Sequence, residues 1–297
     1  MSDLENLRSI VSQCKQDELK EAISSGADIN SMNSNGESLL VLAITRCNDE
    51  IVKILLDAGV PMNYRNNFGI TPLSQAIRWQ KKNVIRMMLD AGADVNMYNS
   101  TNGSTPLVSA IRYELNDIVP LLISKGADVN WEYPTTPLVV AIGNNSVELV
   151  KILLDAGANV DLVSRGFTPL MHAAKRGNPD IVELLINKGA DITKVSKNGQ
   201  TAISVAKKNG RQEIVNILQP IIDEHHSAIQ DVAPNEDMGR VISEFAGYRG
   251  GKRGKKRTQR RKKGKHAKKK KMRKSRKISR TSRKSRKSRR SRSQSRK

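Results

Sequence analysis

Apolar residues come in short dense runs that return at near-constant intervals. Ile51, Val52, Ile54, Leu55 and Leu56 form one such run and Ile181, Val182, Leu184, Leu185 and Ile186 another. Each is too apolar all round for a helix with one solvent face, so these runs predict core helices. A glycine follows each run, at 26, 59, 92, 126, 157 and 189, giving spacings of 33, 33, 34, 31 and 32 residues. A helix must stop there, and glycine takes a positive φ at least cost. About ten residues later comes a second mark: Thr71-Pro72-Leu73, Thr105-Pro106-Leu107, Thr136-Pro137-Leu138 and Thr168-Pro169-Leu170, with looser forms at Ser38 and Thr201. Threonine is a good N-cap and proline is tolerated at the first helical position, so this mark predicts helix starts.

Two marks in register at a period near 33 describe stacked supersecondary units. On these residues the sequence resembles the ankyrin-repeat family over residues 1 to about 223. The resemblance implies an all-α solenoid of helix-turn-helix units with β-turn fingers, whose fingers and first helices line a partner-binding concave surface. Residues 1–35 are expected to be a capping unit with helices over 3–13 and 17–24. About six units then occupy 36–223, the last acting as a C-terminal cap with its pattern broken at Pro220. One departure recurs: the family's histidine after Thr-Pro-Leu is replaced by Val41, Ser74, Val108, Val139, Met171 and Ser204. The inter-repeat hydrogen bonds that histidine makes are expected to give way to apolar packing or water. His172, one position late, is expected to be a partly buried neutral imidazole.

Residues 224–248 read as a polar linker followed by a short amphipathic helix. Met238, Val241, Ile242 and Phe245 fall at i, i+3, i+4 and i+7, one face of a helix that needs a partner surface. Either it caps the solenoid, or residues 236–247 dock on another protein, faintly like the F-box-type ends of some viral ankyrin proteins. The latter would make the chain a ubiquitin-ligase substrate adaptor.

Charge divides the chain again. Of 52 Lys and Arg, 29 lie in residues 249–297, which hold no Asp or Glu; the remaining 23 face all 29 acidic residues, so the body is net −6 and the tail +29. Such a tail cannot offset its ordering entropy and is expected to be disordered. Lys252, Arg253, Lys255, Lys256, Arg257, Arg260, Arg261, Lys262, Lys263, Lys268, Lys269, Lys270 and Lys271 form clusters of the nuclear-import type that also attract nucleic acid non-specifically. Ser282, Ser285, Ser288 and Ser291 alternate with arginine and lysine, so phosphorylation there would remove positive charge and act as a release switch. The tail resembles arginine-serine and protamine-like arms, and those of ankyrin proteins encoded by giant DNA viruses. Nuclear or nucleolar location, or association with a virion, is the expectation.

Candidate chemistry is sparse. No glycine-rich phosphate loop, zinc-ligand set or nucleophile elbow is present, and His172, His225, His226 and His266 form no constellation. Neither catalysis, a cofactor nor a metal is expected. Cys14 and Cys47 predict reduced thiols of an intracellular protein. The start, with no basic region before an apolar run, and the lack of a bilayer-length stretch predict neither secretion nor membrane insertion, and a monomer is expected.

The aromatic residues are few, and repeat register places them. Tyr64, Phe68, Tyr98, Trp131, Tyr133 and Phe167 fall in fingers, while Trp79 and Tyr113 end first helices. Beside them runs a basic ladder, Arg46, Arg78, Arg112, Lys175, Arg176 and Lys208, interrupted at Gly143-Asn144. Arginine and lysine next to aromatics suit an acidic protein surface, or a nucleic-acid backbone continuous with the tail. The plain alternative is that the charges solubilise helix ends and the rings pack on neighbouring fingers.

Overall fold

The computed structural model of the chain describes residues 3–232. Helices form where the apolar runs and caps predict them, in pairs. The first pair is α1 (Asp3–Ser12) and α2 (Gln16–Ser24), without a Thr-Pro-Leu start. Six pairs follow: α3 (Leu39–Arg46) with α4 (Asp49–Asp57), α5 (Pro72–Arg78) with α6 (Lys82–Asp90), α7 (Pro106–Arg112) with α8 (Val119–Ser124), α9 (Pro137–Gly143) with α10 (Val147–Asp155), α11 (Pro169–Arg176) with α12 (Pro179–Asn187), and α13 (Ala202–Lys208) with α14 (Gln212–Val232). Among the described residues there is no sheet, only isolated bridges between Met32 and Ser38 and between Ser164 and Phe167.

Each first helix begins as its threonine or serine dictates. Ser38, Thr71, Thr105, Thr136, Thr168 and Thr201 accept a hydrogen bond from the backbone N–H three residues on, at 3.1 to 3.4 Å. A cap of this kind is worth about 1 kcal/mol. First helices then pack on first helices, α1 on α3 and onward in order to α13, and second helices likewise pair α2 with α4, α4 with α6 and α10 with α12. One continuous apolar seam results. It runs from Leu7 and Val11 through Leu39, Ile51, Ile77, Ile85, Ile111, Leu122, Ile142, Leu153, Leu170 and Ile181 to Ile214 and Leu218. Every unit buries its apolar face only against its neighbours, the arrangement of a linear repeat array.

The missing histidines are compensated in two ways. Ser74 and Ser204 turn their hydroxyls back to accept from the backbone N–H of Thr71 and Thr201, completing capping boxes, while Val41, Val108, Val139 and Met171 are buried and pack. Between units, asparagines make the bridges. Asn63 donates to Gly92 O (3.2 Å) and accepts from Asp94 N–H (2.8 Å); Asn96 does the same with Gly126 and Asp128, and Asn130 with Gly157 and Asn159. Apolar packing thus takes the histidine position in four units, and hydrogen bonds between repeats run through these asparagines at another position.

A correction concerns Pro220. The helix pattern does not break there: α14 runs on through Val232, so the first part of the expected linker is helical. Proline removes one donor and its ring crowds the carbonyl four residues back, which here belongs to exposed Asn216 on the solvent side. Ile221 and Ile222 still pack on the core. Met238, Val241, Ile242 and Phe245, the basic clusters from Lys252 to Lys271, and Ser282, Ser285, Ser288 and Ser291 lie outside the described residues.

Candidate interaction face and cationic cleft

From α3 onward the first helices carry no acidic side chain, and all but α9 carry basic ones. Arg46, Arg78, Arg112, Lys175, Arg176, Lys207 and Lys208 lie at their C-terminal ends, where a cation also meets the negative end of the helix dipole. All are exposed, and none enters an ion pair among the described residues. Beyond α1, acidic residues lie instead on the second helices and in the turns, and some of them are paired across units. Asp117 meets Lys82 (2.7 Å) and Arg86 (2.6 Å), Lys125 meets Asp90 (3.0 Å), and Lys188 meets Asp155 (2.6 Å). Hydrogen bonds from Lys82 to Asp117 and from Lys188 to Asp155 hold both carboxyls below the usual carboxylate range. The first-helix face from α3 onward therefore presents positive charge with no acidic side chain on the same helices.

The aromatics divide between surface and framework. Trp79 and Tyr113 cap α5 and α7 and stay exposed, Trp79 at 54%. Phe68 and Tyr133 are exposed on fingers, Tyr133 at 67%. Tyr64 is half-buried; its hydroxyl donates to Ser38 Oγ (2.9 Å) and accepts from Ser38 N–H (3.0 Å), tying one unit to the previous one. Half-buried Trp131 donates its indole N–H to Gly103 O (3.0 Å) and to Tyr133 O. Its ring lies 5.3 Å from that of Tyr98, and the Arg65 guanidinium lies over the Tyr98 ring, 4.6 Å from its centroid. Arg65, which register did not single out, also donates to Tyr98 O (3.0 Å), so this column clamps successive fingers.

Toward the C-terminal end the ladder opens into a cleft of about 720 Å³. Arg112, Arg165, Lys175, Arg176 and Arg211 line it, and no described Asp or Glu does. Val139, Val140, Ile142 and Phe167 supply apolar wall, and Gly143 leaves room where other units place a basic side chain. A Cβ at Gly143 would meet only the Arg176 guanidinium, at 3.7 Å. Arg165 sits in a tight turn, φ 51°, closed by reciprocal backbone hydrogen bonds between Ser164 and Phe167 (2.9 and 3.1 Å). Arg211 is steadied by donating to Lys175 O (3.3 Å). Lys175, Arg176 and Arg112 were visible in the repeat register, whereas Arg165 in a finger and Arg211 at the start of a second helix were not.

His172 stands in the same cleft. Its Nε2 lies 3.0 Å from Ser164 O, and a carbonyl only accepts, so Nε2 carries the proton. The ring meets Phe167 edge-on at 5.7 Å. Burial pushes its pKa below the ordinary 6.5, partly opposed by the Ser164 bond, and Lys175, Arg165 and Arg176 depress it further. Burial likewise pushes the Cys47 thiol up to about 12, with neighbouring Cys14 adding to it, so Cys47 stays protonated. Among the described residues no cluster could hold a metal ion and no helix is long and apolar enough to cross a membrane.

Comparisons with known proteins agree with this geometry. The sequence matches the family described as ankyrin repeats in three overlapping stretches, residues 9–99, 96–164 and 138–229. No curated protein matches the chain significantly. Among solved structures, the ankyrin repeat domain of Bcl-3, described as a unique member of the IkappaB protein family, is 27% identical with a TM-score of 0.61, over 67% of this chain and 92% of that one. The human ASB11 ankyrin repeat domain is 28% identical with a TM-score of 0.56, over 67% and 90%. Ankyrin-repeat domains generally mediate protein–protein interactions, and such neighbours are typically non-enzymatic adaptors. With its repeat period, its capped helix pairs and its family match over most of its length, the chain belongs to the ankyrin-repeat family.

Proposed function

We propose that the protein is an adaptor whose first-helix face and fingers bind an acidic surface of a protein partner. The observation that carries this reading is the charge of the first-helix face: exposed Arg46, Arg78, Arg112, Lys175 and Arg176, none in an ion pair among the described residues, lie on helices α3, α5, α7 and α11, which hold no acidic side chain, with exposed Trp79 and Tyr113 at the ends of α5 and α7. Arginine with tryptophan and tyrosine is the composition of binding hot spots. The tail would add nuclear or nucleolar localisation and non-specific nucleic-acid contact, or association with a virion in the manner of the giant-virus proteins it resembles. The test is affinity capture with full-length protein. Partners held by the wild type and by Lys53→Glu on a second helix should be lost from a Trp79→Ala/Tyr113→Ala variant; retention by that variant would exclude this face.

The basic ladder also favours a second reading, nucleic-acid binding by the body itself. A salt series on duplex DNA and RNA, comparing the full chain with one stopped after Tyr248, separates the two. Binding by the full chain alone, falling steeply with salt, assigns nucleic acid to the tail. Binding by the shortened chain, weakened by Arg78→Ala, Arg112→Ala and Arg176→Ala, would support the second reading.

A further inference from the structure

We infer that the cleft between Arg112 and Arg211 is a subsite for a phosphorylated serine or threonine side chain of the protein partner. This rests on the first-helix face being the partner-binding surface, and it adds what chemistry that surface selects. Arg112, Arg165, Lys175, Arg176 and Arg211 converge on one cavity of about 720 Å³ with no described carboxylate lining it. Like charges so gathered repel, and an anion from outside relieves that repulsion.

The density of charge decides between anions. An extended acidic segment turns alternate side chains to opposite sides, with about 6 to 7 Å between those that share a side, so its charge is spread along the strand at one unit per side chain. A phosphate brings about 1.5 to 2 negative charges and three acceptor oxygens to one point, matching several guanidinium donors at once. The donors are held for it: Arg211 by the Lys175 carbonyl, Arg165 by the Ser164–Phe167 turn. Gly143 keeps the floor open above Arg176. The apolar wall of Val139 and Val140 suits the peptide that carries the phosphate. A single-stranded nucleic acid is held by stacking its bases on free rings as well as by charge, yet Phe167 is half-buried and met edge-on by His172.

The experiment uses full-length protein immobilised as wild type, as Arg176→Glu/Arg211→Glu, and as Gly143→Trp, which fills the cleft from a helical glycine. Each is offered degenerate peptide libraries with a fixed central phosphoserine, serine or glutamate, and separately a single-stranded oligothymidylate. All three proteins carry the same basic tail, so tail attraction is common to them and differences report the cleft. The wild type should retain the phosphoserine library about tenfold better than the serine and glutamate libraries, the weight of one or two charge-assisted hydrogen bonds. Both variants should lose that preference with unchanged melting temperature. Equal retention of the glutamate library, a preference that survives in both variants, or oligothymidylate displacing the phosphopeptides from wild type only would each overturn the inference. If the cleft variants keep a partner that Trp79→Ala/Tyr113→Ala loses, the subsite is wrong and the adaptor reading stands.

Discussion

His172 shows how a single position can be foreseen in kind but not in consequence. Its place one residue late in the repeat predicted a partly buried neutral ring; that Lys175, Arg165 and Arg176 surround it follows only from the stack. Its folded pKa lies below the ordinary 6.5, so the unfolded chain binds the extra proton first as pH falls. The stability tied to this group is complete above about 6.5 and is lost between there and the folded pKa. Urea unfolding at about pH 7.5 and about pH 5.5 should show lower stability at the acid end, and His172→Gln should flatten that part of the slope. The asparagine bridges belong to the same scale. Asn96 donates to Gly126 O and accepts from Asp128 N–H in an exposed setting, so Asn96→Ala should cost about 1 kcal/mol in urea unfolding. Nothing about a lone asparagine in a turn announced a bridge; its regular recurrence at Asn63, Asn96 and Asn130 was the signal available.

At the scale of elements, the turn between the two helices holds one residue at positive φ in most units but not between α3 and α4, and different residues take that place. After α5, α7 and α9, Gln80, Glu114 and Asn145 take positive φ, whereas α11 and α13 are followed by Gly177 and Gly210 at positive φ. A Cβ in the left-handed region costs about 1 kcal/mol or more, part of which glycine returns through its freer unfolded chain. Glu114→Gly should therefore stabilise the protein by about 0.5 kcal/mol, seen as a raised urea midpoint at constant slope. The boundaries of these helices were legible because threonine, proline and glycine each fix a backbone state locally. Pro220 was misjudged because its effect is not local: at an exposed site the freed carbonyl reaches solvent, and Ile221 and Ile222 hold α14 to the core.

For the whole repeat array, stability is a chain of interfaces, because the helix pairs that pack are those within a unit and between neighbouring units. Weakening a middle unit should uncouple the halves. Ile111 is fully buried in α7, and truncation to alanine typically costs about 2 to 5 kcal/mol. Ile111→Ala is expected to lower the urea slope and separate the transitions seen by different probes, where the wild type gives one. Unchanged slope with a shifted midpoint would mean that the array unfolds as one cooperative block.

By itself the sequence determined the period, the helix pairs, the caps and the split between a body of −6 and a tail of +29. Each of these is set by residues close together in the chain, through φ preference, capping or local charge. The tertiary structure decided what stands beside what. It placed Arg112, Arg165, Lys175, Arg176 and Arg211 around one cleft, and it turned Tyr64 and Trp131 into struts while leaving Trp79 and Tyr133 open. The physical reason is stacking: a period near 33 residues returns the chain to the same face, so side chains far apart in sequence share one surface, and which of them meet depends on side-chain packing between units.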